Sequence, residues 1–271
     1  MRLIGSNNSS IRELPGKIML EKDSAALVES IVDVLEDRLR VRLSQCDPKP
    51  LGLATGRTMQ PIYTALVSRL QAWPTSELER LVEGWLSFNL DEYVGLSESD
   101  SESFAAYMTH LLARPLKLTS DQVRIPNGRS KDPQKEAALY KTQLLDCGGL
   151  SIQLLGIGVN GHLGFNEPPC NPNCHCRVVN LSESTRKQNA YSFQNNHNLV
   201  PKDAITLGLQ EILSAEEIHL IVTGSAKSSV LYSLFSEQAG EMLPASWLRQ
   251  HKNLYIWADN LAFSKVKTQL T

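Results

Sequence analysis

The chain has 271 residues, of which 42% are hydrophobic, and its formal net charge is −2 at pH 7. This size and apolar content suffice for one large α/β domain or two small ones. The near-neutral charge excludes the strongly basic surface of a nucleic-acid or anionic-membrane binder. Apolar runs are shorter than the roughly 20 residues that span a bilayer, and residues 1–8 lack the apolar core of a signal peptide. We therefore expect a cytoplasmic protein that binds neither nucleic acid nor membrane.

Strand and helix patterns alternate from end to end of the chain. Apolar spacing, glycines and prolines predict, in chain order, a helix at 23–43, a strand at 51–54, a helix at 61–71, a strand at 86–90, helices at 101–112 and 132–145, strands at 151–157 and 217–223, helices at 225–235 and 244–250, and a strand at 254–258. Continuous apolar strands between helices are typical of a mostly parallel sheet buried on both faces. Since no linker or repeat divides the chain, we predict one α/β domain over residues 1–271.

Ligands in such sheets bind beyond the carboxyl ends of the strands, and the first such end carries residues 55–58. Gly56 allows close approach of a ligand to the backbone, and Thr58 can cap the following helix and also offer a hydroxyl. The amide groups of a helix N-terminus favour anions. The segment predicts a phosphate-binding loop, although an ordinary strand–turn–helix connection has the same pattern. It is not a Walker A motif, which needs a longer loop and a lysine.

Two adjacent carboxylates, Asp91 and Glu92, follow the next strand in the segment FNLDEYVGL at 88–96. Adjacent side chains at a strand end point to opposite sides. One carboxylate can therefore face a cleft while the other holds the loop. A solvated turn is the alternative interpretation of such a pair.

The segment LLGIGVNGHLGFNEPP at 154–169 turns a buried strand into a glycine-rich loop. It presents His162 and Glu167, with Asn160 close by. A histidine and a carboxylate on a stiff loop after a strand are suited to proton transfer. A histidine that is only a structural hydrogen-bonding group is the alternative.

The same loop matches the dinucleotide fingerprint G-x-G-x-x-G at Gly156, Gly158 and Gly161. That fingerprint needs a long helix that begins at the third glycine and an acidic residue about 20 positions further on. Prolines at 168, 169 and 172 interrupt the following segment instead. We therefore do not interpret this match as a nucleotide site.

Two cationic residues complete the candidate site. Arg186 lies in ESTRK at 183–187, and Lys227 follows a predicted strand in TGSAK at 223–227. A cation in the first turn of a helix opposes the helix dipole, and a bound anion would offset this. Solvated side chains are the alternative for both.

The chain has five cysteines. Cys46 and Cys147 are predicted to be isolated thiols that are buried or half-buried. The other three flank His175 in the segment C-x-x-x-C-H-C at 170–176, whose spacing matches none of the common structural zinc patterns. We expect a reduced cluster on a surface loop and no metal, with zinc binding as the alternative and oxidation as a practical risk.

Taken together, these segments resemble the glucosamine-6-phosphate deaminase (isomerase) family over nearly the whole chain. The segment FNLDEYVGL resembles the family signature F-N-x-D-E-Y-V-G-L, and 156–168 resembles G-x-G-x-[DN]-G-H-x-x-F-N-E-P. Further similar segments are LATGRT at 53–58, IPNG at 125–128 and LPAS at 243–246. The resemblance implies a Rossmann-like α/β/α sandwich that needs no metal or organic cofactor.

The resemblance also implies a mechanism on a 2-amino-2-deoxyhexose 6-phosphate. His162, assisted by Glu167 and Asn160, would open the pyranose ring. Asp91 would then move a proton between C2 and C1, so that ammonia leaves and fructose 6-phosphate forms. The implied phosphate-binding residues are Thr55, Gly56, Thr58, Arg186 and Lys227, with Arg57 as a further contact or a solvated side chain.

Three residues or segments depart from the common family pattern. Asn160 stands where many members have Asp, so it can orient His162 but cannot be its charged partner. Arg57 replaces a small residue of the phosphate loop. The segment 170–176 replaces a stretch that helps to form an allosteric site in hexameric members. We therefore expect neither that activation nor the hexamer, and we keep a homo-oligomer as an alternative to a monomer.

Three other functions compete with this one. Galactosamine-6-phosphate deaminase has nearly the same motifs and differs only at the sugar C4. A 6-phosphogluconolactonase shares the G-H of the loop, but it lacks the N-E-P continuation at 166–168 and the D-E-Y-V-G-L segment at 91–96. A non-catalytic sugar-phosphate sensor usually carries a separate helix-turn-helix domain, for which this chain has no room or basic surface.

Overall fold

A mostly parallel sheet of seven strands forms the centre of the molecule. The computed structural model describes residues 16–270, so the segment 1–8 considered above for targeting lies outside the described residues. The strands are β1 (Lys17–Glu21), β2 (Leu51–Leu53), β3 (Ser87–Asn89), β4 (Asp91–Tyr93), β5 (Val123–Arg124), β6 (Ile152–Leu155), β7 (Arg177–Asn180), β8 (Asp203–Thr206), β9 (Glu217–Val222) and β10 (Leu254–Asp259). The large sheet has the order β1-β10-β9-β6-β2-β3-β5, and all neighbouring strands in it are parallel. The predicted α/β fold with a mostly parallel sheet is confirmed.

Helices alternate with these strands. They are α1 (Ser24–Arg42), α2 (Gln60–Gln71), α3 (Thr75–Glu83), α4 (Phe104–Met108), α5 (Arg114–Leu116), α6 (Pro133–Asp146), α7 (Glu183–Asn189), α8 (Leu209–Leu213), α9 (Ser228–Ser236) and α10 (Ser264–Leu270). The side chain of Asp23 caps α1 by accepting a hydrogen bond from the amide of Ala26 at 2.8 Å. Every residue of β6 is buried, as expected for a strand covered on both faces.

Two helices near the predicted site differ at their N-termini from the sequence expectation. Helix α2 begins at Gln60 with Met59 as its N-cap, so the expected capping role of Thr58 is wrong. The helix expected at 101–112 begins at Phe104, because the side chain of Ser103 caps it there. It continues through a π-helical turn at Thr109–Ala113.

A second, antiparallel sheet with the order β4-β8-β7 was not predicted. Its strands have three or four residues, and all three begin with a charged side chain, so they lack the apolar run of a buried strand. Asp91 pairs with Thr206 in this sheet. Tyr93 packs against the rings of Phe104 and Phe165, with centroids 4.8 and 5.4 Å away. The small sheet therefore fixes the position of the Asp91 backbone.

The cysteines differ from expectation in two ways, and the prediction for Cys46 is wrong. Cys46 is exposed, because it follows the end of α1, whereas Cys147 is half-buried as expected. The segment 170–176 lies at the surface, with Asn171, Asn173 and His175 exposed, but the side chains of Cys170 and Cys176 are buried against the core. Within residues 16–270 no helix is long and apolar enough to cross a membrane.

Candidate active site

A cleft with a volume of about 180 Å³ opens at the carboxyl ends of β2, β3, β6 and β9. It lies between β2 and β6, the point from which later strands are added in opposite directions: β3 and β5 beside β2, and β9 and β10 beside β6. Such switch points are the usual ligand sites of open parallel sheets. Of the residues predicted for the site, those that line the cleft are Thr55, Gly56, Arg57, Thr58, Asp91, His162 and Lys227.

One end of the cleft is cationic. Lys227 follows β9 in a 3₁₀ turn, and Arg57 follows β2. The pKa of Lys227 is lowered, first by burial and second by the positive charge of Arg57. Two cations held together in a partly buried place favour an anion between them. The guanidinium of Arg57 also lies 4.6 Å from the ring centre of Tyr191, a residue that the sequence analysis did not single out.

Asp91 lies at the base of the cleft, where β3 of the large sheet passes into β4 of the small one. Asp91 is 5% exposed, and its carboxylate accepts no hydrogen bond from the described part of the chain. Burial, and second the charge of Glu92, raise the pKa of Asp91 to about 8. A Cβ atom on Gly164 would lie 3.1 Å from Oδ2 of Asp91. The glycine therefore leaves room beside the carboxylate.

Glu92 has a different role from its neighbour. Its carboxylate accepts hydrogen bonds from the amides of Tyr93 at 2.7 Å, Phe104 at 3.1 Å and Ala105 at 2.8 Å. These bonds hold the N-terminal turn of α4, where a negative charge is favoured. As the alternation of side chains in a strand predicted, one carboxylate of the pair holds the loop and the other faces the cleft.

His162 lies in the cleft on the loop that follows β6. Its Nδ1 is 2.7 Å from Oδ1 of Asn160. An amide oxygen only accepts, so Nδ1 carries the proton and Nε2 is free to accept one. Burial, and second the charge of Lys227, lower the pKa of His162 to about 4, against the opposing effect of Glu167. A Cβ atom on Gly158 would lie 2.2 Å from the imidazole, so only glycine allows this packing.

The prolines end the loop as expected, and no helix begins at Gly161, so the dinucleotide fingerprint lacks its structural context. Glu167 is half-buried, and its Oε1 has no partner among residues 16–270. Asn166, the residue before Glu167, is held in place because its side chain donates hydrogen bonds to the carbonyls of Leu163 at 3.0 Å and Leu207 at 2.8 Å. Glu167 is therefore close enough to affect His162 electrostatically without lining the cleft.

The structure does not bring Arg186 into the cleft. Its side chain donates hydrogen bonds to the carbonyls of Val200 at 3.1 Å, His197 at 2.9 Å and Asn198 at 3.5 Å. Sequence analysis missed other lining residues, among them Glu102, Asn189 and Tyr191. Polar and aromatic residues around a short helix carry no pattern that marks them as part of a site.

The described residues contain no group of three or more histidine, cysteine or acidic side chains that could hold a metal ion. This includes the segment 170–176, where His175 contacts Glu211 at 2.6 Å instead of pointing toward the thiols as a third ligand. The groups that could do chemistry in the cleft are therefore a carboxylate with a raised pKa, a neutral imidazole and two cations.

Comparisons with known proteins identify the family of the chain. Residues 22–257 match the family described as glucosamine-6-phosphate isomerases/6-phosphogluconolactonase. A glucosamine-6-phosphate deaminase of Shouchella clausii is 40% identical over 223 residues, which are 82% of this chain and 88% of the relative. The corresponding enzyme of Oceanobacillus iheyensis is 39% identical over 224 residues, 83% of this chain and 87% of the relative.

Solved structures give the same result. A monomeric glucosamine-6-phosphate deaminase is 34% identical with a TM-score of 0.84, over 92% of this chain and 99% of that one. A 6-phosphogluconolactonase of Leishmania guyanensis shares the fold at 22% identity, with a TM-score of 0.69 over 92% of this chain and 97% of that one. The chain therefore belongs to the glucosamine-6-phosphate isomerase/6-phosphogluconolactonase family.

Proposed function

We propose that the chain is a glucosamine-6-phosphate deaminase, which converts glucosamine 6-phosphate and water to fructose 6-phosphate and ammonia. The observation that carries this proposal is the single cleft that joins a buried carboxylate, Asp91, to a neutral histidine, His162, and to a cationic end. An aldose–ketose isomerisation needs a base at the carbon skeleton, a proton-transfer group at the ring and an anchor for the phosphate.

The phosphate of the substrate binds at the cationic end. Lys227 and Arg57 supply charge, and the loop of Thr55, Gly56 and Thr58 supplies amides and hydroxyls. A role of Arg186 as a phosphate ligand stays a prediction. Its guanidinium would first have to leave the carbonyls that it now contacts. Phosphate binding fixes one end of the sugar and so determines which carbon lies over Asp91.

Ring opening is the work of His162. With its proton on Nδ1, the imidazole has Nε2 free to take the hydroxyl proton at C1 and to return a proton to the ring oxygen. Asn160 holds the ring in this tautomer. Glu167 stabilises the imidazolium that forms, because its negative charge favours the protonated ring.

Asp91 then moves the proton between neighbouring carbons. Its carboxylate removes the proton from C2 of the open aldehyde while the C1 oxygen gains a proton, which gives an enolamine. Asp91 then returns its proton to C1 as the amine loses a proton, which leaves an imine at C2. Water adds to the imine, and ammonia leaves as fructose 6-phosphate forms. A pKa near 8 makes the carboxylate a stronger base than an ordinary aspartate, as proton abstraction beside a carbonyl requires.

Galactosamine 6-phosphate is the second candidate substrate, since it differs from glucosamine 6-phosphate only in the configuration at C4. The relatives compared above are deaminases of the glucosamine compound, and they are the reason to place it first. The 6-phosphogluconolactonases are similar at 14–22% identity, which shows the fold alone. Hydrolysis of a lactone also gives no role to a base over C2.

We also propose a cytoplasmic location, and we keep self-association as a prediction. The solved deaminase that is 34% identical is monomeric. Light scattering on the purified protein tests the prediction, because a particle mass of one chain at all concentrations would contradict a homo-oligomer.

Product analysis tests the proposed function. The purified protein is incubated with glucosamine 6-phosphate, galactosamine 6-phosphate or 6-phosphogluconolactone, and ammonia and ketose phosphate are measured. We expect ammonia and fructose 6-phosphate in equal amounts from the glucosamine compound without added metal. Release only from the galactosamine compound would transfer the assignment to its C4 epimer, and hydrolysis of the lactone alone would refute deamination.

A further inference from the structure

Cys170 and Cys174 form a pair of thiols beside the loop that carries His162 and Glu167. Their Sγ atoms are 3.4 Å apart. The backbone of each is fixed from outside the segment: the amide of Cys170 donates to the carbonyl of Glu241 at 2.9 Å, and the carbonyl of Cys174 accepts from the amide of Gln210 at 3.0 Å. The two sulfur atoms are therefore held next to each other by the fold.

The surroundings of the pair give its two members different properties. Cys174 is partly exposed and accepts a hydrogen bond from the amide of Leu209 at 3.3 Å, whereas Cys170 is buried. The hydrogen bond from Cys170 is the largest contribution that lowers the pKa of Cys174, to about 6. The guanidinium of Arg177, 3.7 Å from Sγ of Cys170, favours the thiolate further. This is the environment of a reactive cysteine with a resolving partner.

Asn166 connects the thiols to the candidate active site. Its Oδ1 lies 3.8 Å from Sγ of Cys170, 3.6 Å from Sγ of Cys174 and 2.8 Å from Nη1 of Arg177. The amide nitrogen of the same side chain donates to the carbonyl of Leu163 in the His162 loop and to the carbonyl of Leu207 after β8. Asn166 directly precedes Glu167, so a change at the sulfur atoms reaches the group that assists His162.

We propose that Cys170 and Cys174 are an oxidation site for hydroperoxides, which closes into a reversible disulfide and slows the enzyme by shifting Asn166. The thiolate of Cys174 attacks the peroxide, gains one oxygen as a sulfenic acid and releases hydroxide, or alcohol from an organic peroxide. The thiol of Cys170 then attacks that sulfur: the S–S bond forms, the S–O bond breaks, and the proton of Cys170 goes to the departing oxygen, which leaves as water. A dithiol restores both thiols by exchange.

Closure changes the contacts of Asn166. The sulfur atoms must approach from 3.4 Å to about 2.05 Å, so they move relative to Oδ1 of Asn166, which now lies 3.8 Å from Sγ of Cys170 and 3.6 Å from Sγ of Cys174. The disulfide also removes the negative charge that Arg177 and the amide of Leu209 stabilise. We expect a fall in kcat of about fivefold, the effect of weakening one ordinary hydrogen bond, here the bond that Asn166 donates to the carbonyl of Leu163. This second part of the proposal rests on the proposed deaminase function.

Thiol trapping on the full-length protein tests the pair. The reduced protein is treated with an equimolar amount of hydrogen peroxide, unfolded in denaturant that contains N-ethylmaleimide so that buried thiols are also blocked, and analysed by tandem mass spectrometry. We expect the maleimide on Cys46, Cys147 and Cys176, and a mass lower by two hydrogens across Cys170 and Cys174 until a dithiol is added. Maleimide on both Cys170 and Cys174, or a bond to Cys176, would overturn the proposal.

Activity before and after peroxide tests the consequence, with each variant compared with its own untreated sample. The double variant Cys46→Ser/Cys147→Ser keeps the pair and should lose activity as the wild type does, whereas Cys174→Ser should resist peroxide. A disulfide that leaves kcat unchanged would overturn the link to Asn166. A reduced protein without deaminase activity would refute the proposed function instead, since the mass measurement tests the thiol pair independently.

Discussion

Two adjacent carboxylates have different tasks because their neighbours differ. Glu92 accepts three backbone amides, whereas Asp91 has no hydrogen-bonding partner among the described residues and is buried. The sequence predicted that they would point to opposite sides, since alternation is a property of any strand. It did not predict the burial that raises the pKa of Asp91, because that depends on β8 and on the loop at Gly164, which are distant in sequence.

The pH dependence of activity follows from these two pKa values. Asp91 must be ionised to act as a base, and its pKa is about 8, so kcat/KM should fall as the pH drops below about 8. His162, with a pKa near 4, stays neutral over this range and should add no second step there. A profile of kcat/KM from about pH 5 to 9 checks this. A plateau that extends down to pH 6 would contradict the assigned base.

His162 shows what a motif can and cannot predict. The G-H and N-E-P letters of the loop predicted a proton-transfer group, but the tautomer became evident only from the 2.7 Å contact with Asn160. We expect His162→Gln to lower kcat on the cyclic substrate by about 10²-fold, the usual contribution of a general acid–base group. Turnover of an open-chain analogue should be much less affected. An equal loss on both compounds would show that His162 does something other than open the ring.

At the scale of elements, the ends of β2 and β9 form the cationic end of the cleft. We expect Lys227→Ala to raise KM about 10–100-fold, because it removes a charged hydrogen-bonding group from the phosphate. Steady-state kinetics with inorganic phosphate as a competitor checks this. An unchanged KM and an unchanged inhibition by phosphate would exclude Lys227 as a ligand.

Arg186→Ala is the matched comparison, since its guanidinium holds the carbonyls at 197–200. We expect it to lower the free energy of unfolding by about 1–3 kcal/mol, with a smaller effect on KM than Lys227→Ala. Thermal unfolding and kinetics of the two variants, measured side by side, check this. The reverse pattern would restore Arg186 to the phosphate site.

Elements with a clear apolar pattern were predictable, and elements without one were not. The strands β2, β3, β6, β9 and β10 and the helices α1, α2 and α6 lie within a few residues of their expected places. The strands of the small sheet, DEY, RVVN and DAIT, each begin with a charged side chain, so local patterns carry little information about them. The part of the site that depends on the small sheet was missed for this reason.

At the scale of the whole molecule, the alternation of elements was enough to predict a parallel sheet with its ligand cleft at the strand ends. We propose that the chain folds as one domain, as the absence of a linker in the sequence suggests. Calorimetry should then show one unfolding transition whose calorimetric and van't Hoff enthalpies agree. Two separate transitions would refute the single domain.

The central claim is that Asp91 is the base of a deaminase, and the Asp91→Asn variant tests it most directly. Ammonia release from glucosamine 6-phosphate should fall by at least about 10³-fold, while competition by inorganic phosphate remains. The fold should persist. Burial raises the pKa of Asp91 in the folded protein from 3.8 to about 8. The protonated carboxyl therefore stabilises the fold at low pH, and this contribution is lost as the pH rises through this range. Removing the charge should therefore leave the melting temperature at pH 8 unchanged or higher. Turnover within tenfold of the wild type would contradict the account.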